Sequence, residues 1–282
     1  MGRRKNYELQ NTLVFHDYYS RLKTIALSMF EWHGLPDSCN ARFLEWCLFH
    51  YGRAIFVDDA DMGILNLKAN PSDIMNVYNE PTAYEAWSIN YSKMYKAEDC
   101  CLVRNNYLEK PTDTSILLFA ERLAKIQLAA EVNIWAQRTP VLIHTDDKTA
   151  KSMEVLYDQF DGNRPLIVVN KTLDTKPLEC ISTGAPFVAD KLREEKLAVW
   201  NEALESLGLN TNPSDKKKER LIISEVESNN EQIDMQAEAM LLCRQAACDR
   251  MNEMWGLDVS VELRVQKNRD AMRMEQEVDD IG

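Results

Sequence analysis

Apolar residues recur every three or four positions over five stretches of the chain, a spacing typical of amphipathic helices. These stretches are residues 12–32, 41–51, 113–138, 186–208 and 231–256. The fourth is bounded by Pro186 and Gly208, residue types favoured at the first turn and just past the end of a helix. The last stops at Trp255-Gly256. The pattern therefore predicts a protein organised around long helices.

Short β-rich runs lie between the helices. Four of them fall between residues 53 and 108 and predict a small antiparallel sheet or barrel: RAIFVDD, MGILNLKA, TAYEAWSI and CCLVRNNYL. Three more, VLIHT, PLIVVN and LECIST, predict a compact α/β insertion at 139–185 together with a short helix over 150–160. After Gly256, DVSVELRV alternates like a strand, which we expect to return to the early sheet.

Composition limits the classes of function. The chain has 282 residues, of which 45% are hydrophobic, and six Trp, which predicts a folded core. A net charge of −12 disfavours general adhesion to nucleic acid, so any contact with DNA must be local. Seven cysteines without a Cys-x-x-Cys pair favour reduced, packed thiols of an intracellular protein. We expect no signal peptide and no membrane helix.

Catalytic signatures are absent from the sequence. There is no phosphate-binding glycine loop, no GxSxG and no HExxH, and the four histidines lack metal-ligand spacing, so we predict no enzyme, no cofactor and no metal. One alternative remains. Asp58, Asp59 and Asp61 could hold a divalent ion in a metal-dependent nuclease, although such a run beside a turn is more often a solvated bend.

Two basic clusters interrupt this acidic chain. Residues 209–230 form a polar loop whose SDKKKER run nets +2, and the eighteen residues that follow carry five acids and no base. A second cluster lies in a polar arm at 1–11, which we expect to be flexible. Both could simply be solvated surface. The basic residues are Lys216, Lys217, Lys218 and Arg220 in the loop, and Arg3, Arg4 and Lys5 in the arm.

Several segments together resemble a known family. In chain order they are SMFEWHGLP, TPVLIHTDD, YDQFDGNRPLIVVN, APFVADKLREEKLAVWNEALESLG, KKKER, EVESNNEQI and CRQAACDRMNEMWGLDVSVELR. The chain resembles the head-tail connector, or upper collar portal protein, of small tailed phages with protein-primed DNA genomes. The resemblance spans nearly the whole chain.

The resemblance implies an α+β portal fold. Residues 113–138 and 186–208 would be long stem helices that carry a small α/β clip at 139–185. Residues 12–112 would form the wing, with N-terminal helices and an SH3-like β-rich subdomain. A channel loop at 209–230 would precede a wing helix and returning strand at 231–266. The remaining segments would be the arm at 1–11 and a tail at 267–282, on the crown side or disordered.

The resemblance also implies a function in the virion, after assembly in the host cytoplasm. A homo-oligomeric ring, a dodecamer in the family, would sit at the capsid vertex and pass double-stranded DNA during packaging and ejection. Lys191, Lys216, Lys217, Lys218 and Arg220 would contact this DNA non-specifically, whereas Ser182 replaces a channel lysine of relatives. The longer basic arm of relatives, associated with motor and nucleic acid, is shortened here to Arg3, Arg4 and Lys5.

Several partners follow from the same resemblance. They are a packaging ATPase docked at the clip, the major capsid and scaffolding proteins, a lower collar or tail protein and, in some relatives, a packaging RNA. No membrane partner is expected. Considered without the resemblance, the long helices also fit a non-phage structural protein that oligomerises through helices.

Overall fold

A computed structural model of the chain describes residues 2–137, 141–143, 178–180, 186–209 and 223–264. The chain divides into two compact units. The first comprises Met1–Ala124 and Leu197–Gly282, and the second comprises Lys125–Lys196. No helix in the described ranges is both long and apolar enough to cross a membrane.

The predicted helices are present, with corrections at their ends. The described helices are α1 (Gly2–Leu27), α2 (Ala41–Tyr51), α3 (Asp113–Ala136), α4 (Ala189–Ser206) and α5 (Ile223–Trp255). Helix α1 begins at Gly2, so the backbone of residues 2–11, predicted as an arm before the helix, continues the helix towards the N-terminus. The predicted loop at 209–230 was too long on its C-terminal side, because α5 begins at Ile223. The glycines past α4 and α5, Gly208 and Gly256, take positive φ as expected of helix stops.

The helix expected at 12–32 ends early, at Leu27. The next residues form strand β1 (Phe30–His33), which pairs antiparallel with strand β9 (Ser260–Leu263). The last strand therefore does not return to the larger sheet, as we had expected. Gly34 closes the ribbon at φ +69°, where an added Cβ would lie 2.1 Å from the Asp258 carbonyl oxygen.

The larger sheet lies in the first unit and has five antiparallel strands. They are β2 (Arg53–Asp59), β3 (Gly63–Pro71), β4 (Ala83–Ser88), β5 (Tyr91–Lys96) and β6 (Cys100–Arg104), in the order β5-β4-β3-β2-β6. Strand β5 was not predicted. Residues 63–67 of β3 pair with β2 and residues 68–71 pair with β4, so β3 serves both halves of the sheet. Its buried face includes Ile55, Val57 and Ala86.

In the second unit, strands β7 (Val141–Ile143) and β8 (Leu178–Cys180) pair antiparallel. They correspond to the predicted strands VLIHT and LECIST. The predicted strand PLIVVN, the short helix at 150–160 and the tail at 267–282 lie outside the described residues.

Candidate functional site

A buried arginine joins the elements of the first unit. Arg244 of α5 is 2% exposed and forms a two-pronged ion pair with Glu45 of α2, with Nε to Oε1 at 3.0 Å and Nη2 to Oε2 at 2.8 Å. Its remaining N–H groups donate to the Met240 carbonyl and to both the carbonyl and the side-chain oxygen of Asn105. All five guanidinium donors thus have acceptors, which burial of this charge requires.

Two aromatic residues of β1 complete this network. The guanidinium of Arg244 lies 3.8 Å from the centre of the Phe30 ring, close enough for a cation–π contact. The indole N–H of Trp32 donates to Glu45 Oε1 at 2.9 Å. One charged side chain therefore holds α5, α2, β1 and the segment after β6 in a fixed arrangement.

In the second unit, polar contacts hold the end of α3 against the start of α4. The Asn133 side chain donates to the Pro186 carbonyl at 2.9 Å and accepts the Val188 N–H at 3.0 Å. Lys196 donates to the side-chain oxygen of Gln127 at 3.0 Å. The two helices run antiparallel in this unit, and the first turn of α4 is anchored by side chains of α3.

Lys191 is the only predicted DNA-contacting residue whose side chain falls within the described residues. It is exposed in the first turn of α4, and no hydrogen-bond or ion-pair partner for its ammonium is present in the described ranges. Helix α4 carries five acids and three bases, a net charge of −2. One of those bases, Lys196, is already bonded to Gln127. Exposed positive charge on this helix is therefore sparse and set among carboxylates.

Large apolar side chains of the second unit are exposed near this helix start. Val132 is 68% exposed, Trp135 is 62% exposed, and Ile134 and Phe187 are also mostly exposed. Exposed apolar residues grouped in this way are typical of surfaces that contact another protein.

The other predicted site residues are not brought together by the described residues. Lys216, Lys217, Lys218 and Arg220 lie at 210–222, outside the description. The backbone of Arg3, Arg4 and Lys5 is helical in α1, but their side chains also lie outside it. Ser182 lies outside the described residues as well.

Asp59 is the central residue of the acidic run that could have formed a nuclease site, but it belongs to a hydrogen-bond network. Asp59 is buried and its carboxylate accepts hydrogen bonds from the Tyr91 hydroxyl at 2.7 Å and from the backbone N–H groups of Asp61 and Met62. The hydroxyl of Tyr91, followed by the N–H of Asp61, lowers the pKa of Asp59 to about 2. Within the described part of the chain, no group of three or more His, Cys, Asp or Glu residues could hold a metal ion.

The family model of the phage connector (GP10) matches residues 2–267. The chain belongs to the phage connector family. It is a head-tail connector of the phage virion, and its mixed helix and sheet architecture is a portal fold, as the resemblance implied.

Two solved structures share the fold of this connector. A chain in the structure of the portal and tail of native bacteriophage P68 is 14% identical with a TM-score of 0.50, and the match covers 99% of the connector and 96% of that chain. A chain in the virion of a native gene transfer agent particle is 9% identical with a TM-score of 0.50, covering 97% of the connector and 84% of that chain.

Sequence reasoning missed the Arg244 network of the connector. A signal was present, because Arg244 falls four residues after Met240 and seven before Met251, on the apolar stripe of α5. An arginine on the apolar face of a helix either extends its guanidinium to solvent or pairs it with a buried acceptor. The partner, Glu45, lies 199 residues away and has no sequence signal that singles it out.

Proposed function

We propose that the connector assembles as a closed ring of identical subunits, a dodecamer, through which double-stranded DNA is packaged and later ejected. Membership of the connector family supports this proposal. The observation that carries the ring proposal is a group of exposed apolar side chains: Val132, Ile134, Trp135 and Phe187. In a ring each subunit contacts a neighbour on both sides, so such side chains are covered by another copy.

The channel lining follows from this ring. Lys191, Lys216, Lys217, Lys218 and Arg220 face the DNA, so each becomes a circle of positive charge. The acids of α4 lie between these circles and repel phosphates. A largely acidic wall with few bases keeps contacts with DNA brief, because non-specific affinity rises with the number of phosphates neutralised. The connector thus guides DNA without binding it tightly.

The connector serves as a structural platform and supplies no hydrolysis of its own. A separate packaging ATPase docks at 139–185, the wing at 12–112 meets capsid and scaffolding proteins, and a lower collar or tail protein joins after packaging. Arg3, Arg4 and Lys5 contact the motor or a packaging RNA. The net charge of −12 supports contacts with nucleic acid that are confined to such clusters.

The loop cluster can be tested with a Lys216→Ala/Lys217→Ala/Lys218→Ala variant. Rings should form as in wild type, but packaged heads should retain less than half of the wild-type DNA, because the positive charge that restrains it is gone. DNA per particle is measured by nuclease protection, and ring formation by electron microscopy.

A control is Lys125→Ala, which removes a positive charge from an exposed position outside both the loop and the wing at 12–112. It should package and retain DNA normally. Full DNA retention by the triple-lysine variant would refute the role of the loop and leave the ring proposal intact.

A further inference from the structure

Two loops of the first unit are built on the same plan. In the β3–β4 connection, the Asn76 side-chain oxygen accepts the N–H groups of Tyr78 and Glu80, and its carbonyl accepts that of Asn79. Asn79 has φ +60°. An Asx turn of this kind, closed by a left-handed residue, fixes the backbone of the loop tip.

The connection from β6 to α3 repeats these contacts. The Asn106 side-chain oxygen accepts the N–H groups of Leu108 and Lys110, and its carbonyl accepts that of Glu109. Glu109 has φ +53°. In both cases the asparagine holds the second, third and fourth residues after it. We name residues 74–80 and 106–110 the twin loops.

Each twin loop presents apolar side chains outward. Val77 and Tyr78 are 91% and 80% exposed at the first tip, and Tyr107 and Leu108 are 71% and 77% exposed at the second. Ile74 and Met75 add further exposed apolar surface to the first loop. Solvated loops are ordinarily polar, whereas these six residues are held in place by backbone and asparagine contacts with their apolar groups in water.

The twin loops meet at one groove. Its volume is about 720 Å³, and it lies between the sheet and α5, with Leu102 and Leu242 among its apolar lining residues and Asn76, Glu80 and Tyr107 at the loops. The two loops therefore border a single surface.

Two arginines of this surface are held in ion pairs, whereas two further bases, Arg250 in the groove and Lys110 in the second loop, have no ion-pair partner among the described residues. Arg104 lies 3.8 Å from Glu80 and 3.0 Å from Glu109, and Arg53 lies 3.1 Å from the second oxygen of Glu109. Two arginines and two glutamates cancel and link the twin loops to each other. These pairs neutralise Arg53 and Arg104, and the exposed apolar side chains rather than free charge dominate the twin loops.

The exposed area matches that of a protein interface. Five of these side chains have more than two thirds of their surface in water, and Met75 is 47% exposed. Together the six expose on the order of 800 Å². This sum is of the same order as the approximately 800 Å² that one partner contributes to a standard interface.

We propose that the twin loops are a contact between neighbouring subunits, covered in the ring by a second copy of this chain. Copies with a net charge of −12 repel each other, and an apolar surface that carries no excess of acids is where they can approach at least cost. The loops are fixed before assembly, so little ordering is lost on contact. The proposal rests on the ring described above.

The test compares assembly of two charge variants of the full chain. Val77→Asp/Tyr107→Asp should raise the protein concentration needed for half-maximal ring formation at least tenfold, because each buried carboxylate would lack a partner. Ile89→Asp is the matched control, since Ile89 is 93% exposed in the β4–β5 turn, away from the twin loops. It should assemble like wild type. Mass photometry gives the ring fraction, and circular dichroism checks the fold.

A photocrosslinking residue at position 78 identifies what covers the loops. In assembled rings it should join one connector chain to another, and mass spectrometry of the product should show a connector peptide on both sides. Crosslinking at position 89 should give no such product. Rings that form normally from the double variant and give no inter-chain crosslink at 78, or a crosslink only to a capsid or tail protein, would overturn this contact alone. A wild-type chain that remains monomeric would instead refute the ring.

Discussion

Replacement of Arg244 by methionine tests the buried network directly. Methionine preserves much of the packing volume of the arginine stem but removes the charge and five donors. Glu45 is 4% exposed, and among the described residues its buried carboxylate would then keep only the Trp32 N–H as a partner. Removing one member of a buried ion pair costs about 3–5 kcal/mol, so we expect a loss of that size in the free energy of unfolding.

The same experiment includes a double variant. Arg244→Met/Glu45→Leu removes both charges, and apolar replacement of a complete buried pair is often close to neutral. The double variant should therefore regain most of the loss, with a residual cost of about 1–3 kcal/mol because Asn105 and Trp32 lose partners. Arg244→Lys should lie between wild type and Arg244→Met, because an ammonium cannot reproduce the planar fork.

The assay is urea unfolding followed by tryptophan fluorescence, at one fixed protein concentration because assembly also stabilises the folded chain. Wild type, Arg244→Met, Glu45→Leu and the double variant form a cycle that gives the coupling energy between residues 45 and 244. An Arg244→Met variant within 1 kcal/mol of wild type, or a double variant as unstable as the single one, would refute the view that Glu45 and Arg244 depend on each other.

Two further predictions concern the sheet. Gly52 has φ +76°, and an added Cβ would lie 2.0 Å from the Glu109 carbonyl oxygen, so there is no room for a side chain. Gly52→Ala should therefore lower the thermal midpoint by several degrees. An unchanged midpoint would contradict the close packing. The pKa of Asp59 is lowered from 3.8 to about 2, so its charged form stabilises the fold fully above pH 3.8 and this stabilisation is lost as the pH falls towards 2. Asp59→Asn should therefore be less stable than wild type at pH 7, and the difference between their urea midpoints should shrink below pH 4. A difference that stays constant with pH would show that the charge of the carboxylate does not cause the stabilisation.

Local signals predicted much of the secondary structure. Helix α2 begins and ends where its pattern predicted, because Asn40 caps its first turn and Gly52 closes its last. The end of α1 was misjudged because Phe30 and Trp32 continue a plausible helical spacing over only a few residues, where period 2 and period 3.6 cannot be separated. Their pairing with residues 261 and 263 is a contact that no local pattern records.

The site was less accessible to sequence reasoning. The loop lysines were recognised as a basic cluster from the sequence, whereas Lys191 and the DNA-facing role of all these residues came from the family resemblance. Of these residues, Lys191 lies within the described part of the chain. The Arg244 network and the twin loops depend on partners far apart in the chain, such as Glu45 with Arg244 and Glu80 with Arg104. The sequence shows that the Asx-turn asparagine of each twin loop is followed by large apolar residues. It does not show that their side chains are exposed, because exposure is known only from the fold.

The discontinuity of the first unit has a consequence for biosynthesis. Its two segments, Met1–Ala124 and Leu197–Gly282, are separated by the whole of the second unit, and β1 finds its strand partner only at Ser260–Leu263. During synthesis, Phe30–His33 and Glu45 leave the ribosome long before their partners, Ser260–Leu263 and Arg244. The β1–β9 pairing and the buried ion pair can therefore form only when the chain is nearly complete. Unfinished chains consequently lack a complete first unit, so premature termination yields products without its paired strands and buried ion pair.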